Sequence, residues 1–216
     1  MPIFEISVRS SKFSFVHVHI PKTGGVSISH FFTAVLGARA YYGYEMNPIR
    51  PLLRCHPHHY HYSILNELFL LEDATSSFCI VRNPLSRITS DYVWAMAKSV
   101  PKDRYMPFDD WVSHVFEGYA ADPYFDGNHI RPQHEFIGPK IRHVLKFEDG
   151  LETAIKQVLK SAGIDLKGDV VLDRINTGKD NSGDARLSVT MRDDTRSKIV
   201  NFYREDFERF DYSQSV

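Results

Sequence analysis

Residues Phe13–Ile20, FSFVHVHI, string together β-branched and aromatic side chains and stop at Pro21. Such a run reads as a strand, and proline ends it because it has no N–H to give to a sheet ladder. PKTGG follows as a turn. Ile28, Phe31, Phe32, Val35 and Leu36 then recur at i, i+3, i+4, i+7 and i+8, the apolar stripe of a helix that Gly37 closes. Residues 13–36 are therefore expected to fold as strand, glycine loop and helix.

That order is what an anion-binding loop needs. Glycines let the backbone approach a phosphate, and free N–H groups at a helix start point toward it. Lys22 brings a point charge, Thr23 and Ser27 bring hydroxyl donors, and Gly24, Gly25 and Val26 bring backbone N–H groups. Loops that hold nucleoside triphosphates read GxxxxGK[ST], with the lysine after the last glycine. Here Lys22 precedes Gly24–Gly25 and no first glycine lies upstream, so residue order weakens a kinase or ATPase reading. The plain alternative is a tight turn carrying an exposed lysine.

A second unit repeats the pattern. Ser77–Val81 (SFCIV) reads as a buried strand, Arg82–Asn83 end it, and Pro84 sits where a helix would begin. Leu85, Ile88, Tyr92 and Met96 form that helix's apolar face. At the strand end, the guanidinium fork of Arg82 can grip a phosphate with two hydrogen bonds. Ser90 lies about two turns up the helix, on the side facing back toward the strand end, with Arg87 one turn below it.

Elsewhere, residues 38–62 are irregular and rich in Tyr, Pro and His, and a short helix is expected over Ser63–Leu71. Residues 99–142 read as an insertion with one helix near Phe108–Phe116. Lys140–Phe147 suggests a third strand, and Leu151, Ala154, Ile155, Val158 and Leu159 a helix closed by Gly163. Residues 168–185 read as a loop and candidate lid. A last helix is expected over Asp193–Phe207, with Ile199, Phe202, Tyr203 and Phe207 inward. Strands alternating with helices predict an α/β fold, a P-loop-like parallel sheet with helices on both faces, built as a single domain over residues 1–216. Ligands of such sheets bind at the carboxyl ends of the strands.

The net charge of −1 gives no global basic field for nucleic acid or a membrane surface. Residues 1–62, however, hold six Lys/Arg against two acids and seven of the eleven histidines, so that part of the chain suits an anionic ligand. No window approaches 18 uninterrupted apolar residues, which argues against a membrane span. The N-terminus lacks the basic and apolar regions of a signal peptide. With Met1 as the true start, a cytoplasmic protein follows. Cys55 and Cys79 show neither CxxC nor metal spacing and are expected as buried free thiols.

Together, strand–PKTGG–helix and VRNPLSRITSDY resemble the sulfotransferases that use 3′-phosphoadenosine 5′-phosphosulfate (PAPS). The likeness is greatest to the carbohydrate branch that includes heparan sulfate 2-O-sulfotransferase. HIRPQHEFIG resembles that branch's Pro-Gln segment, here Pro132–Gln133; HVLKFEDGLETAI resembles its strand–Phe-Glu-Asp–helix step, and FYREDFERFDY its C-terminal helix. The resemblance implies the sulfotransferase fold, PAPS as co-substrate and PAP, the 3′,5′-bisphosphate, as product, with no metal expected. It implies that Lys22, Thr23, Gly24, Gly25, Val26 and Ser27 hold the 5′-phosphosulfate. Arg82 and Ser90, eight residues apart, are implied for the 3′-phosphate. The partner is then a hydroxyl-bearing acceptor, a sugar or polysaccharide, without nucleic acid. Members in animal cells carry a membrane anchor, and no such segment is read here.

Sulfuryl transfer needs a base for the acceptor hydroxyl and positive charge for the departing phosphate oxygen. Lys22 suits the second task. CHPHHYHYS offers His56, His58, His59 and His61 for the first. The branch's base lies in a His-x-His-x-Ser step, which His59–Ser63 fits, so the resemblance implies His61 as base and His59 as a supporting substrate contact. The same stretch could be a His-rich surface loop, and a His-x-His pair binds zinc only with further ligands. His17 and His19 share one face of the first strand and are assigned to the core or the sheet end. Rival readings are a nucleotide kinase using ATP and magnesium, and a non-catalytic module that binds PAP or sugar.

Overall fold

The computed structural model describes residues 2–8, 10–42, 53–99, 105–166, 168, 170–173 and 189–214. Its centre is a five-stranded sheet of β1 (Ile3–Val8), β2 (Ser11–Val18), β3 (Arg39–Tyr41), β4 (Ser76–Val81) and β5 (His143–Lys146), in the order β3-β1-β2-β4-β5. The helices are α1 (Gly25–His30), α2 (Tyr62–Leu68), α3 (Pro84–Ser99), α4 (Phe108–Ala121), α5 (Leu151–Ser161), α6 (Asp193–Phe202) and α7 (Arg204–Arg209).

β2, β4 and β5, the strands read from the sequence, are parallel, with Phe78 of β4 between His17 and His143. β1 and β3 extend the sheet antiparallel on the β2 side, and neither was expected. The α/β class with helices on both faces therefore holds, and the sheet as a whole is mixed. Both faces of β4 and of the last half of β2 are buried, which is why those stretches read as continuous apolar runs rather than alternating ones. On one face α1, the turn that follows it and α5 bring Ile28, Phe32 and Ile155 onto Phe4, Phe15 and Phe78. On the other, Leu65 of α2 and Phe136 cover Val16, Val18, Cys79 and Val81. A third apolar cluster joins α3, α4 and α6 through Ile88, Trp111, Val112, Ile199 and Tyr203.

Two helices depart from their expected course. α1 runs into a π-type turn over Phe31–Val35, in which the Leu36 N–H reaches back five residues to the Phe31 carbonyl at 3.1 Å. The wider turn rotates the stripe, so Val35 is 60 % exposed while Ile28, Phe31 and Phe32 stay buried. The last helix breaks at Tyr203 (φ −101°, ψ 25°) into α6 and α7, which lets both Tyr203 and Phe207 point inward. Cys55 and Cys79 are free and buried, as expected, and burial pushes the Cys55 thiol up to about 11. The proposed lid at 168–185 lies largely outside the described residues. Among the described residues, no helix is long and apolar enough to cross a membrane.

Candidate functional site

The chain leaves β2 through Pro21 and turns sharply at Lys22 (φ 67°) and Gly24 (φ 86°). A left-handed lysine is uncommon, and backbone strain of this kind gathers at ligand sites. Thr23 locks the turn by donating its hydroxyl to the Ile20 carbonyl at 2.8 Å, so this hydroxyl staples the loop. Side chains cannot replace either glycine cheaply. A Cβ on Gly24 would lie 2.6 Å from Leu151 Cδ1, and one on Gly25 would lie 2.2 Å from the His19 ring. Gly25 is what allows the His19 imidazole to rest on the start of α1.

Arg82 stands at the end of β4, and Ser90 is on α3. Asn83 caps that helix, its Oδ1 accepting from the Leu85 N–H at 2.9 Å. Arg82 donates Nη1 to the Lys22 carbonyl at 3.1 Å and lies over the Phe147 ring at 4.5 Å, which ties the two expected phosphate-binding segments together. Burial pulls its pKa below the ordinary arginine value.

The backbone of Arg82 is held by Gln133. The Arg82 N–H donates to Gln133 Oε1 at 2.9 Å, and Gln133 Nε2 donates to the Arg82 carbonyl at 2.8 Å. Gln133 is held in turn by Asp206 of α7, which accepts from the Gln133 N–H at 2.8 Å and from the N–H and Nδ1 of His134, both at 2.8 Å. Burial works against a charge on His134, but the Asp206 hydrogen bond and carboxylate outweigh it and raise the His134 pKa. The Pro-Gln segment and the C-terminal helix thus fix the arginine through hydrogen bonds.

Histidines from distant parts of the chain meet beside the loop. His19 packs on His58 and His59 with ring centroids 5.3 and 5.2 Å apart. His59 Nδ1 lies 3.2 Å from the Gly127 carbonyl, which only accepts, so Nδ1 carries the proton and Nε2 keeps a lone pair. Burial, then the neighbouring His58, pulls the pKa of both His19 and His59 well below the ordinary histidine value. Next to His59, at 4.8 Å between ring centroids, is His129. Its Nδ1 pairs with Asp91 at 2.7 Å. Burial opposes a charge on His129, but Asp91 outweighs it and raises the pKa. Trp94 stacks on His129 at 5.0 Å, and Lys22 Nζ sits 5.1 Å from the centre of the Trp94 ring.

These groups face one cavity of about 1570 Å³ at the carboxyl ends of the parallel strands. Lys22, Gly24, Gly25, Val26, Ser27, Arg82, Ser90 and His59 of the expected set line it. Thr23 and His61 do not. The His61 ring turns instead to the Tyr124 hydroxyl, 3.2 Å from Nε2, and burial together with the Arg131 charge lowers its pKa to about 4. Arg87 is buried and structural, donating to the carbonyls of His129 (3.2 Å) and Arg131 (2.9 Å). Asp91, Trp94 and His129 went unread. The available signal was the Arg87–Asp91 pair at i, i+4, two charges bordering an apolar stripe.

Comparison with characterised proteins and with solved structures gives no significant match. The family model described as the sulfotransferase family matches residues 7–213. That span takes in β2 to β5, both loops that face the cavity and the C-terminal helix behind Arg82, and the chain therefore belongs to the sulfotransferase family.

Proposed function

We propose that the protein transfers the sulfuryl group of PAPS to an acceptor hydroxyl, with a carbohydrate as the acceptor class. The observation that carries this reading is that one cavity gathers the Lys22–Ser27 loop, Arg82, Ser90 and a histidine whose Nε2 keeps its lone pair. The donor fits these residues, because two separate cationic groups and a side-chain-free turn face the same space. When bound, PAPS supplies an activated sulfuryl group on a phosphate leaving group.

Backbone N–H groups of Gly24, Gly25 and Val26, with Ser27, hold the 5′ end, and Lys22 meets the charge that grows on the phosphate oxygen. Arg82 and Ser90 hold the 3′-phosphate. His59, rather than His61, takes the acceptor proton on Nε2, since His59 lines the cavity and has the tautomer of a base. His129, whose pKa Asp91 raises, and Lys22 bring positive charge to the same cavity, and preorganised charge aimed at a developing anion is a large source of rate in many enzymes. Support for a carbohydrate comes from the resemblance of residues 59–63 and 129–138 to the carbohydrate branch.

The test has two arms. PAP at 100 times its Kd should add about 2.7 kcal/mol of stability, which for a chain of this size raises Tm by about 5–11 °C. Equal or greater stabilisation by ATP with magnesium would overturn the donor assignment. Labelled sulfate from PAPS should appear on a member of an acceptor panel that begins with polysaccharides; transfer only to non-sugar acceptors would overturn the acceptor class.

A further inference from the structure

We propose that His19, His58 and His59 form a zinc site on the wall of the cavity, and that its occupation stops transfer. One ring nitrogen from each of the three lies within 4.8 Å of the others. Around a single zinc ion with Zn–N of about 2.0–2.1 Å, such nitrogens sit about 3.3–3.5 Å apart. Side-chain adjustments of an ångström or so therefore close the site. All three rings are at most 7 % exposed, and all three line the cavity, which leaves a further coordination position open toward it.

The rings are also held from behind, as metal-bound histidines are. Nδ1 of His59 is occupied by the Gly127 carbonyl at 3.2 Å, so its basic nitrogen is Nε2. Nδ1 of His58 pairs with Nδ1 of His56. His19 comes from the end of β2, about forty residues before the other two, and is seated by the missing Cβ of Gly25. Proton transfer to His59 leaves His19 and His58 unexplained, whereas a three-histidine site with an open position uses all three. A bound ion takes the Nε2 lone pair of His59, and this inhibitory half rests on His59 being the base.

The experiment uses the whole chain, stripped of metal with a chelator. Zinc is titrated by calorimetry and counted by metal analysis after gel filtration; cobalt is added to read tetrahedral geometry from its visible absorption. Wild type should take one zinc and should lose PAPS-dependent transfer as it binds. His58→Ala should bind zinc about 100-fold or more weakly, above the 10–100-fold that changes behind the ligands cost, and should transfer sulfate without zinc inhibition. His58→Gln is the second variant, and a cooperative thermal melt followed by circular dichroism shows which of the two is folded. Absence of stoichiometric zinc in the wild type, or wild-type zinc affinity in a folded His58 variant, overturns the site. Full transfer under saturating zinc overturns the inhibitory half. One zinc lost on changing His58, with no transfer from PAPS to any acceptor, upholds the site and refutes the function proposed above.

Discussion

Gln133 joins the C-terminal helix to the proposed phosphate grip, and its truncation has a size that the structure sets. The residue is fully buried and holds both backbone polar groups of Arg82, at 2.9 and 2.8 Å. Gln133→Ala strands that N–H and that carbonyl. An unsatisfied buried backbone group costs about 1–3 kcal/mol. Arg82 is only partly buried, so the lower half of that range applies to each group, and the sum is about 2–4 kcal/mol. In a chain of 216 residues, each kcal/mol moves Tm by about 2–4 °C, so a fall of about 4–16 °C is expected. Gln133→Glu keeps an acceptor for the Arg82 N–H but replaces the donor with an oxygen facing the Arg82 carbonyl. It should lose at least as much, even though the two side chains have nearly the same shape. Thermal melts give the stability, and calorimetric titration with PAP gives the second readout, because an unanchored Arg82 backbone should weaken the bisphosphate. A Tm within about 2 °C of wild type for both variants would refute the hydrogen-bond reasoning. A large drop in Tm with unchanged PAP affinity would refute the link from Gln133 to the phosphate grip.

Arg82→Ala should weaken PAP by about 2–4 kcal/mol, the range for truncating one partner of a charge pair. Adenosine 5′-phosphosulfate, which lacks the 3′-phosphate, should hardly change; equal losses for both would make Arg82 structural. His59→Ala should cut turnover by about 10²–10⁴-fold with PAP affinity kept, while His61→Ala should leave turnover much nearer wild type. The reverse order would return the base to His61. The raised pKa of His134 makes a stability prediction through linkage with Asp206. A group with a raised folded pKa contributes fully below its unfolded value, about 6.5, and loses that contribution as pH rises through the folded pKa. The stability gap between wild type and His134→Gln in urea melts should therefore be larger at pH 5.5 than at pH 8.5. Equal gaps at the two pH values would show that the His134 charge does not stabilise the fold.

The parts that could be read in the sequence are those whose signal is local. The β2 and β4 units each announce themselves by a buried run, a breaker and a 3.6-residue stripe, all within about 25 residues. β1 gave no such signal. IFEISV does alternate, Phe4, Ile6 and Val8 against Glu5 and Ser7, but no breaker and helix stripe follow it, and its place is set by its register with β2, Ile3 opposite Val16 through Val8 opposite Ser11, and by pairing with the three-residue β3. The break at Tyr203 was hidden for a related reason. Periodicity predicts one helix through Phe207, whereas burying both Tyr203 against Ile130 and Phe207 against the third cluster demands two. In both cases tertiary contacts chose the local conformation.

The histidines show the same division at the level of chemistry. The His-x-His-x-Ser spacing located the right stretch but could not say which ring meets the cavity, because spacing is not direction. His59 ends a 3-10 turn over Pro57–His59, Tyr60 and His61 are extended (ψ 129° and 170°), and α2 begins at Tyr62. Two histidines two residues apart therefore leave the backbone from different conformations and part company. What selects His59 lies far away in the chain. Asp126, Gly127 and Asn128 take successive left-handed conformations (φ 48°, 59° and 74°), which turns the Gly127 carbonyl onto His59 Nδ1. Asn128 is completely buried and donates Nδ2 to the His59 carbonyl at 2.9 Å, and Arg131 Nε anchors Asn128 Oδ1 at 3.0 Å. A turn over Asp126–Asn128, just ahead of the HIRPQHEFIG segment and without a readable motif of its own, thus sets the tautomer of the proposed base. The next residue is His129, so the same turn sets the proposed base beside a histidine whose pKa Asp91 raises.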